Sequence, residues 1–397
     1  MIRERLTLRV SGRRRKWQHD VGGMKRPGLR LGIEEEYLIV DRETGDLVVE
    51  PGESFLDACR TALGERVAPE FLQCQVEVGT QPHKTVGAAI SELRELRCAV
   101  ASAAEERGYA AIAASTHPFA KWRKQQHTRA QRYDGIWSDI GLPAWRMLIS
   151  AMHLHVEVED PDLRIDLMNQ VTYFLPHMLA LSCSSPFWEG VDTRLSSYRL
   201  TVFDALPRSG LPDQLASFGS FRRLVDLLVK AGCIEDGTKI WWDVRPSARF
   251  PTLEARITDI CPRLRDAAAI AALYQSLLAF LVRLRMQNQG WRLYPLTLIG
   301  ENRWRAQRYG TEGTLIDLGA SRLVPVADLV EELIEILRED AAELECLEEL
   351  EDLRQIPREG NSASRQRAVH AAAWAAGAGE EGALRAVVDH LRAEFLE

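Results

Sequence analysis

Leu31-Gly-Ile-Glu-Glu-Glu-Tyr-Leu-Ile-Val40 alternates apolar and charged positions over most of its length. That is the period of a β-strand, which sends Glu34 and Glu36 to one face and Glu35 to the other. A second stretch, Thr252-Leu-Glu-Ala-Arg-Ile-Thr258, puts Glu254 and Arg256 on a shared face in the same way. An unpaired buried charge costs several kcal/mol or titrates away, so these groups need solvent or a counter-ion. Two readings follow. The strands are solvated edges with alternating charge, or they line a site where carboxylates hold divalent cations and arginine meets a polyanion.

Further motifs favour the second reading. Glu70-Phe-Leu-Gln-Cys-Gln-Val-Glu-Val-Gly79 reads as a strand from which Glu77 projects, with Glu70 open between site and surface. Met152-His153-Leu-His155-Val-Glu157-Val158 places His153, His155 and Glu157 on one face, and imidazole with carboxylate suits a divalent ion or a phosphate contact. Trp241-Trp-Asp243-Val-Arg245-Pro246 sets an acid and a base two residues apart, either as a structural ion pair or as a ligand contact. In Glu301-Asn-Arg-Trp-Arg305-Ala-Gln-Arg308-Tyr-Gly310, Arg305 and Arg308 lie one helical turn apart, a cationic face suited to phosphate or a carboxylate. No P-loop and no GxSxG element stands in the chain.

The rest of the chain sets the frame. The 397 residues are 46% hydrophobic and 27% charged, enough for one large catalytic domain and an accessory part. A net charge of −7 speaks against nucleic acid as a partner. No uninterrupted apolar run reaches the ~20 residues that span a bilayer, so no membrane role is expected. The seven cysteines are scattered without a CxxC pair, which fits a reducing cytoplasm. Residues 1–28 carry Arg13-Arg-Arg-Lys16 but no amphipathic period, and read as a disordered leader or, less simply, a basic arm for RNA. Residues 47–49 are a candidate return strand after the turn at 41–46, and 109–114 a buried strand. Helices are expected over 85–107, 164–183, 265–286 and most of 325–397. Strands mixed with helices, then helices alone, argue for an α+β fold with an antiparallel sheet. The division expected is leader 1–28, catalytic domain 29–310 and helical C-terminal part 311–397.

The strings GIEEEY, QVEV, STHPFAKW, MHLHVEV, SSPFW, IWWDVRPS, TLEARITD and ENRWRAQRYG, in that order from about residue 29 onward, resemble the YbdK-type carboxylate–amine ligases. That family, also called type 2 glutamate–cysteine ligases, is similar to glutamine synthetase in its catalytic core. The resemblance implies a curved antiparallel sheet of the glutamine synthetase/guanido kinase-like type, with helices on its outer face. It implies ATP and Mg²⁺ (or Mn²⁺) as cofactors, glutamate or a similar carboxylate as substrate, and an amino acid or amine as acceptor. The reaction is amide formation through an acyl phosphate. Carried over residue by residue, Glu34, Glu36, Glu77, His153 and Glu254 are metal ligands, and Arg256 stabilises the transferred phosphoryl group. His155, Arg245 and Glu157 lie on the nucleotide side, and Arg305 and Arg308 hold the substrate carboxylate or phosphate. The family usually has glycine where Glu157 stands and serine where Cys74 stands. A non-catalytic relative that uses the ATP cleft as a sensor is the alternative, and a homodimer is left open.

Overall fold

The computed structural model describes residues 25–130, 135 and 138–397. Its centre is the expected strand, β1 (Leu31–Asp41), 11 residues long and bordered on both sides. β3 (Gln75–Gly79) pairs with residues 34–38 of β1. On the opposite side β5 (Met152–Glu157) borders residues 31–35, and β4 (Tyr109–Ile112) borders residues 38–41. Beyond β3 lies β2 (Val67–Pro69), and beyond β5 come the strands Thr252–Ala255 and Val244–Pro246. All pairings in this seven-stranded sheet are antiparallel.

Alternation separates two chemistries. Ile33, Tyr37 and Ile39 of β1 join Val76, Val78, Leu154, Val156 and Leu253 in the larger hydrophobic core. Helices Val86–Glu105 and Leu264–Met286 cover that face, the second of them buried along most of its length. On the other face β1 changes character halfway. Glu34 lines a cleft with the buried Glu36 beside it, whereas Leu38 and Val40 enter a second core with Leu384, Val387 and Leu391 of the helix Gly379–Glu394. The cleft is thereby confined to the first half of the strand.

Glu35, on the packed face, is fully buried and fully paired. Arg97 donates to both its oxygens at 2.7 and 2.9 Å, and Tyr37 Oη donates at 2.7 Å. Arg97 also donates to the carbonyls of Cys261, Pro262 and Phe395, tying β1 to the chain terminus.

Several elements differ from expectation. Residues 47–49 form a single bridge, Val40↔Leu47, and the strand expected from residue 70 begins at Gln75. The helix expected over 164–183 is two helices, Pro161–Val171 and Leu175–Ser182, joined by a tighter turn at Thr172–Phe174. Pro176 lacks an N–H and fits the first turn of a new helix better than the middle of an old one. Helix Leu264–Met286 is long and apolar enough to cross a membrane, though 89% of its apolar window is buried inside the protein. The expected parts 29–310 and 311–397 share the larger core, to which Leu329, Leu333, Leu337 and Leu353 contribute.

Residues 1–24 of the expected leader lie outside the described residues. Of the other four, Arg26 pairs with Glu343, and the N–H of Gly28 donates to Glu159. Deleting residues 1–23, which keeps these contacts, is expected to leave Tm unchanged. A loss of several degrees in a thermal melt would refute that.

Candidate active site

Strand register assembles the cleft. Glu34 stands opposite His153, Glu36 opposite Glu77, His155 opposite Glu254, and Glu254 opposite Arg245. Five strands thus deliver one polar row. His155 Nε2 and His153 Nδ1 lie 3.4 and 3.6 Å from Glu34, and His153 Nε2 lies 4.0 Å from Glu36. Thr252 Oγ1, 3.0 Å from His155 Nδ1, fixes that ring from behind.

Glu36, Glu77 and Glu70 converge, with one oxygen of each within 4.8 Å of the others. Glu36 also accepts from the N–H of Ala151 at 2.9 Å. Crowding has an electrostatic signature. Burial, then the charge of Glu70, pushes Glu36 up to about 8. Glu77 rises well above the usual carboxylate range through burial and the charges of Glu70, Glu34 and Glu36. Burial also acts to raise Glu34, but hydrogen bonds with His153 and His155 overcome it and hold its carboxyl low. His153 is pushed down to about 4, by burial and then by the charge of Arg256, so it is a neutral donor atom at pH 7. Three hard oxygen donors this close need either protons or a cation. Their spacing suits a divalent ion, for which ligand distances of about 2.0–2.6 Å are usual.

Glu254 sits apart from this trio. Arg245 donates to both its oxygens at 2.9 and 3.1 Å, and Arg256 donates at 2.5 Å. Burial would raise its pKa, but Arg256 and Arg245 hold it far below the usual range. Its oxygens are engaged by guanidinium groups, in contrast to those of Glu36 and Glu77. Arg256 Nε is buried and has no hydrogen-bond partner, a donor left over at the edge of the acid cluster.

Arg305 and Arg308 stand elsewhere. Arg305 donates to the carbonyl and hydroxyl of Thr314 at 2.7 and 2.6 Å, and Arg308 stacks on Tyr309. From the same helix, Leu296–Tyr309, it is Arg303 that reaches the sheet. It donates to Asp243 at 2.6 and 3.2 Å and to Asp204 at 2.7 Å. At about 100° per residue, two positions along a helix face nearly opposite ways, so Arg303 and Arg305 cannot share a target.

A cavity of about 480 Å³ opens beside the polar row, lined by Glu34, Glu77 and His155 together with Arg30, Arg66 and Phe250. Glu157 also lines it, and Arg30 donates to its two oxygens at 2.7 and 2.8 Å. The hydrogen bond and charge of Arg30 hold Glu157 below its ordinary pKa. The negative charge of Glu157 is therefore answered by a neighbour. Glu157→Gly is expected to free Arg30 for an anion and lower KM for ATP about threefold, the scale of one partly exposed charge contact. An unchanged KM would leave Glu157 as a rim residue.

Sequence reasoning missed Arg30, Arg66 and Arg303, and left Glu70 undecided. Glu70 and Arg66 lie outside regular strands, where no period orients them. Arg30 stands one residue before β1 and gains meaning only from its partner, Glu157.

Comparison with known proteins bears on this geometry. Residues 30–390 match the model of glutamate–cysteine ligase family 2. The chain belongs to that family. Relatives provisionally named glutamate–cysteine ligase 2 are similar almost end to end. The one from Ruegeria pomeroyi is 54% identical over 94% of this chain and 96% of its own length. The one from Rhodospirillum rubrum is 52% identical with the same coverage of 94% and 96%. Among solved structures, the glutamate–cysteine ligase of Francisella tularensis in complex with AMP superposes with a TM-score of 0.67 at 14% identity, covering 94% of this chain and 90% of that one. A bifunctional glutathione synthetase from Pasteurella multocida also gives 0.67, at 15% identity, over 93% of this chain and 53% of its own. These two share the fold. Family membership makes the protein an ATP-dependent carboxylate–amine ligase with a glutamine synthetase-like catalytic sheet.

Proposed function

We propose that the protein activates the γ-carboxylate of glutamate with ATP and joins it to the amino group of an amino acid or amine, as the names of its relatives suggest. The observation that carries the site assignment is the Glu36–Glu70–Glu77 trio beside the unpartnered Nε–H of Arg256. Divalent metal, Mg²⁺ or Mn²⁺, fits the trio, with Glu34 and His153 adjacent. It would supply the charge neutralisation that two approaching anions require. Glu254 then serves as the anchor that orients Arg256 and Arg245, rather than as a ligand. Arg256 donates to the phosphoryl group in transfer, and Arg66 meets the phosphates from the cavity wall.

The chemistry balances in two steps. A carboxylate oxygen of glutamate attacks the γ-phosphorus of ATP and releases ADP, leaving an acyl phosphate. The amine nitrogen then attacks the acyl carbon, and the C–O bond to phosphate breaks. The amide, inorganic phosphate and a proton leave. Free thiols at all seven cysteines fit a reducing cytoplasm as the working compartment.

The deciding experiment is a coupled ADP-release screen of amino acids and amines with glutamate, ATP and Mg²⁺. Release that needs both glutamate and one acceptor supports the proposal, and release independent of glutamate overturns it. A thermal counterpart follows from mass action: ATP is expected to raise Tm with Mg²⁺ present and to lose that effect in excess EDTA. Equal protection in EDTA would remove the metal from the nucleotide site.

A further inference from the structure

A second cavity, of about 570 Å³, lies in the helical layer and shares no lining residue with the catalytic cleft. Its walls include Tyr173, Trp291 and Tyr294, with ring centroids 5.4–5.6 Å from Tyr173 to the other two. Asp317 and Glu332 line it as well, and among the described residues neither has an ion pair within 4.0 Å. Asp317 Oδ1 accepts from the N–H groups of Gly319 and Ala320, closing the turn of the hairpin formed by Thr314–Asp317 and Arg322–Pro325. His177, 5% exposed, lines the cavity with Nδ1 free of a hydrogen bond, and Trp291 Nε1 is likewise unpartnered. The exposed Arg292, also at the cavity, stacks on Tyr294 at 5.1 Å, and Tyr173 and Trp291 form the rest of the aromatic wall.

We propose that this aromatic, acid-bearing cavity is a second ligand site that takes a protonated alkylamine. Each part has a matching group. The ring faces attract a cation, and the interaction strengthens when the cation is desolvated. The two carboxylates accept its N–H donors, as does the imidazole of His177. Burial pushes His177 down to about 4, so it stays neutral and adds no repulsion at pH 7. Leu329, Leu333 and Ile336, from helix Val326–Glu343, supply an apolar surface for the alkyl chain. Burial and the charge of Asp317 raise the Glu332 carboxyl above its ordinary value, a repulsion that a bound ammonium group relieves. The site stands on residues that take no part in the ligase chemistry, so it holds or falls independently of that assignment.

The test is calorimetric titration of the full chain with n-butylammonium chloride, beside 1-butanol as the neutral counterpart, at constant ionic strength and without ATP. Saturable binding of the ammonium ion is expected, with butanol weaker by about tenfold or more. Trp291→Leu should abolish the binding, and Glu332→Gln should weaken it several-fold. Glu332 is exposed enough that its variant tests the charge even where Trp291→Leu fails to fold. Absence of saturable binding overturns the proposal, as does equal affinity for butanol. Ammonium binding unchanged in Glu332→Gln and in folded Trp291→Leu would place it elsewhere, for instance in the catalytic cleft, and also overturns it.

Discussion

Glu77→Gln and Glu36→Gln are each expected to lower ADP release by about 100-fold or more, and in metal-free buffer to melt at a higher temperature than the parent chain. The two effects have one cause. Glu36, Glu70 and Glu77 bring carboxylate oxygens within 4.8 Å of one another, and burial, then the charge of Glu70, raises Glu36 to about 8. Glutamine keeps the shape, and at position 36 it keeps an acceptor for the N–H of Ala151. It removes the repulsion and with it a hard ligand. Activity and metal-free stability should therefore move in opposite directions, and Mg²⁺ should stabilise the variants less than the parent. Tm measured with and without EDTA, beside ADP release, decides the matter. Full turnover in both variants would remove the metal from this trio. Lower activity with a lower metal-free Tm would make the acids structural.

Arg97→Met is expected to cost about 3–5 kcal/mol of stability, because it leaves the Glu35 carboxylate buried without its cation. Both partners are fully buried, and the guanidinium also closes the carbonyls of Cys261 and Phe395. Adding Glu35→Gln should recover a substantial part of the loss, since a neutral amide asks far less of its surroundings than a bare charge. Urea denaturation of the parent, the single variant and the double variant measures this. A single variant within about 1 kcal/mol of the parent would refute the cost assigned to the unpaired carboxylate. The pair lies directly behind Glu34 and Glu36 on β1, so the double variant's activity also reports how far this anchor sets the height of the acidic row.

The central strand and its faces were legible because strand period is local. Three glutamates in a row between apolar residues already separate Glu35 from Glu34 and Glu36, whatever the partners turn out to be. The same holds for His153, His155 and Glu157, and for Glu254 and Arg256, where a two-residue repeat states the face but not the neighbour. The family was legible from the order of its motifs, and the match over residues 30–390 bears that out. What the chain alone left open was pairing between distant segments. Glu254 looks like Glu36 in sequence, yet one oxygen row faces Arg245 and Arg256 while the other faces acids. Arg303 and Arg305 differ only in helical phase relative to a sheet about 60 residues earlier in the chain, a phase that packing alone sets. Glu70 and Arg30 lie just outside regular strands, so no period aims them; tertiary contacts do. Sequence determined which charges each strand carries and on which face. Only the folded chain decided which of those charges meet acids and which meet arginines, because electrostatic role depends on distances of a few ångströms between residues that the chain keeps far apart.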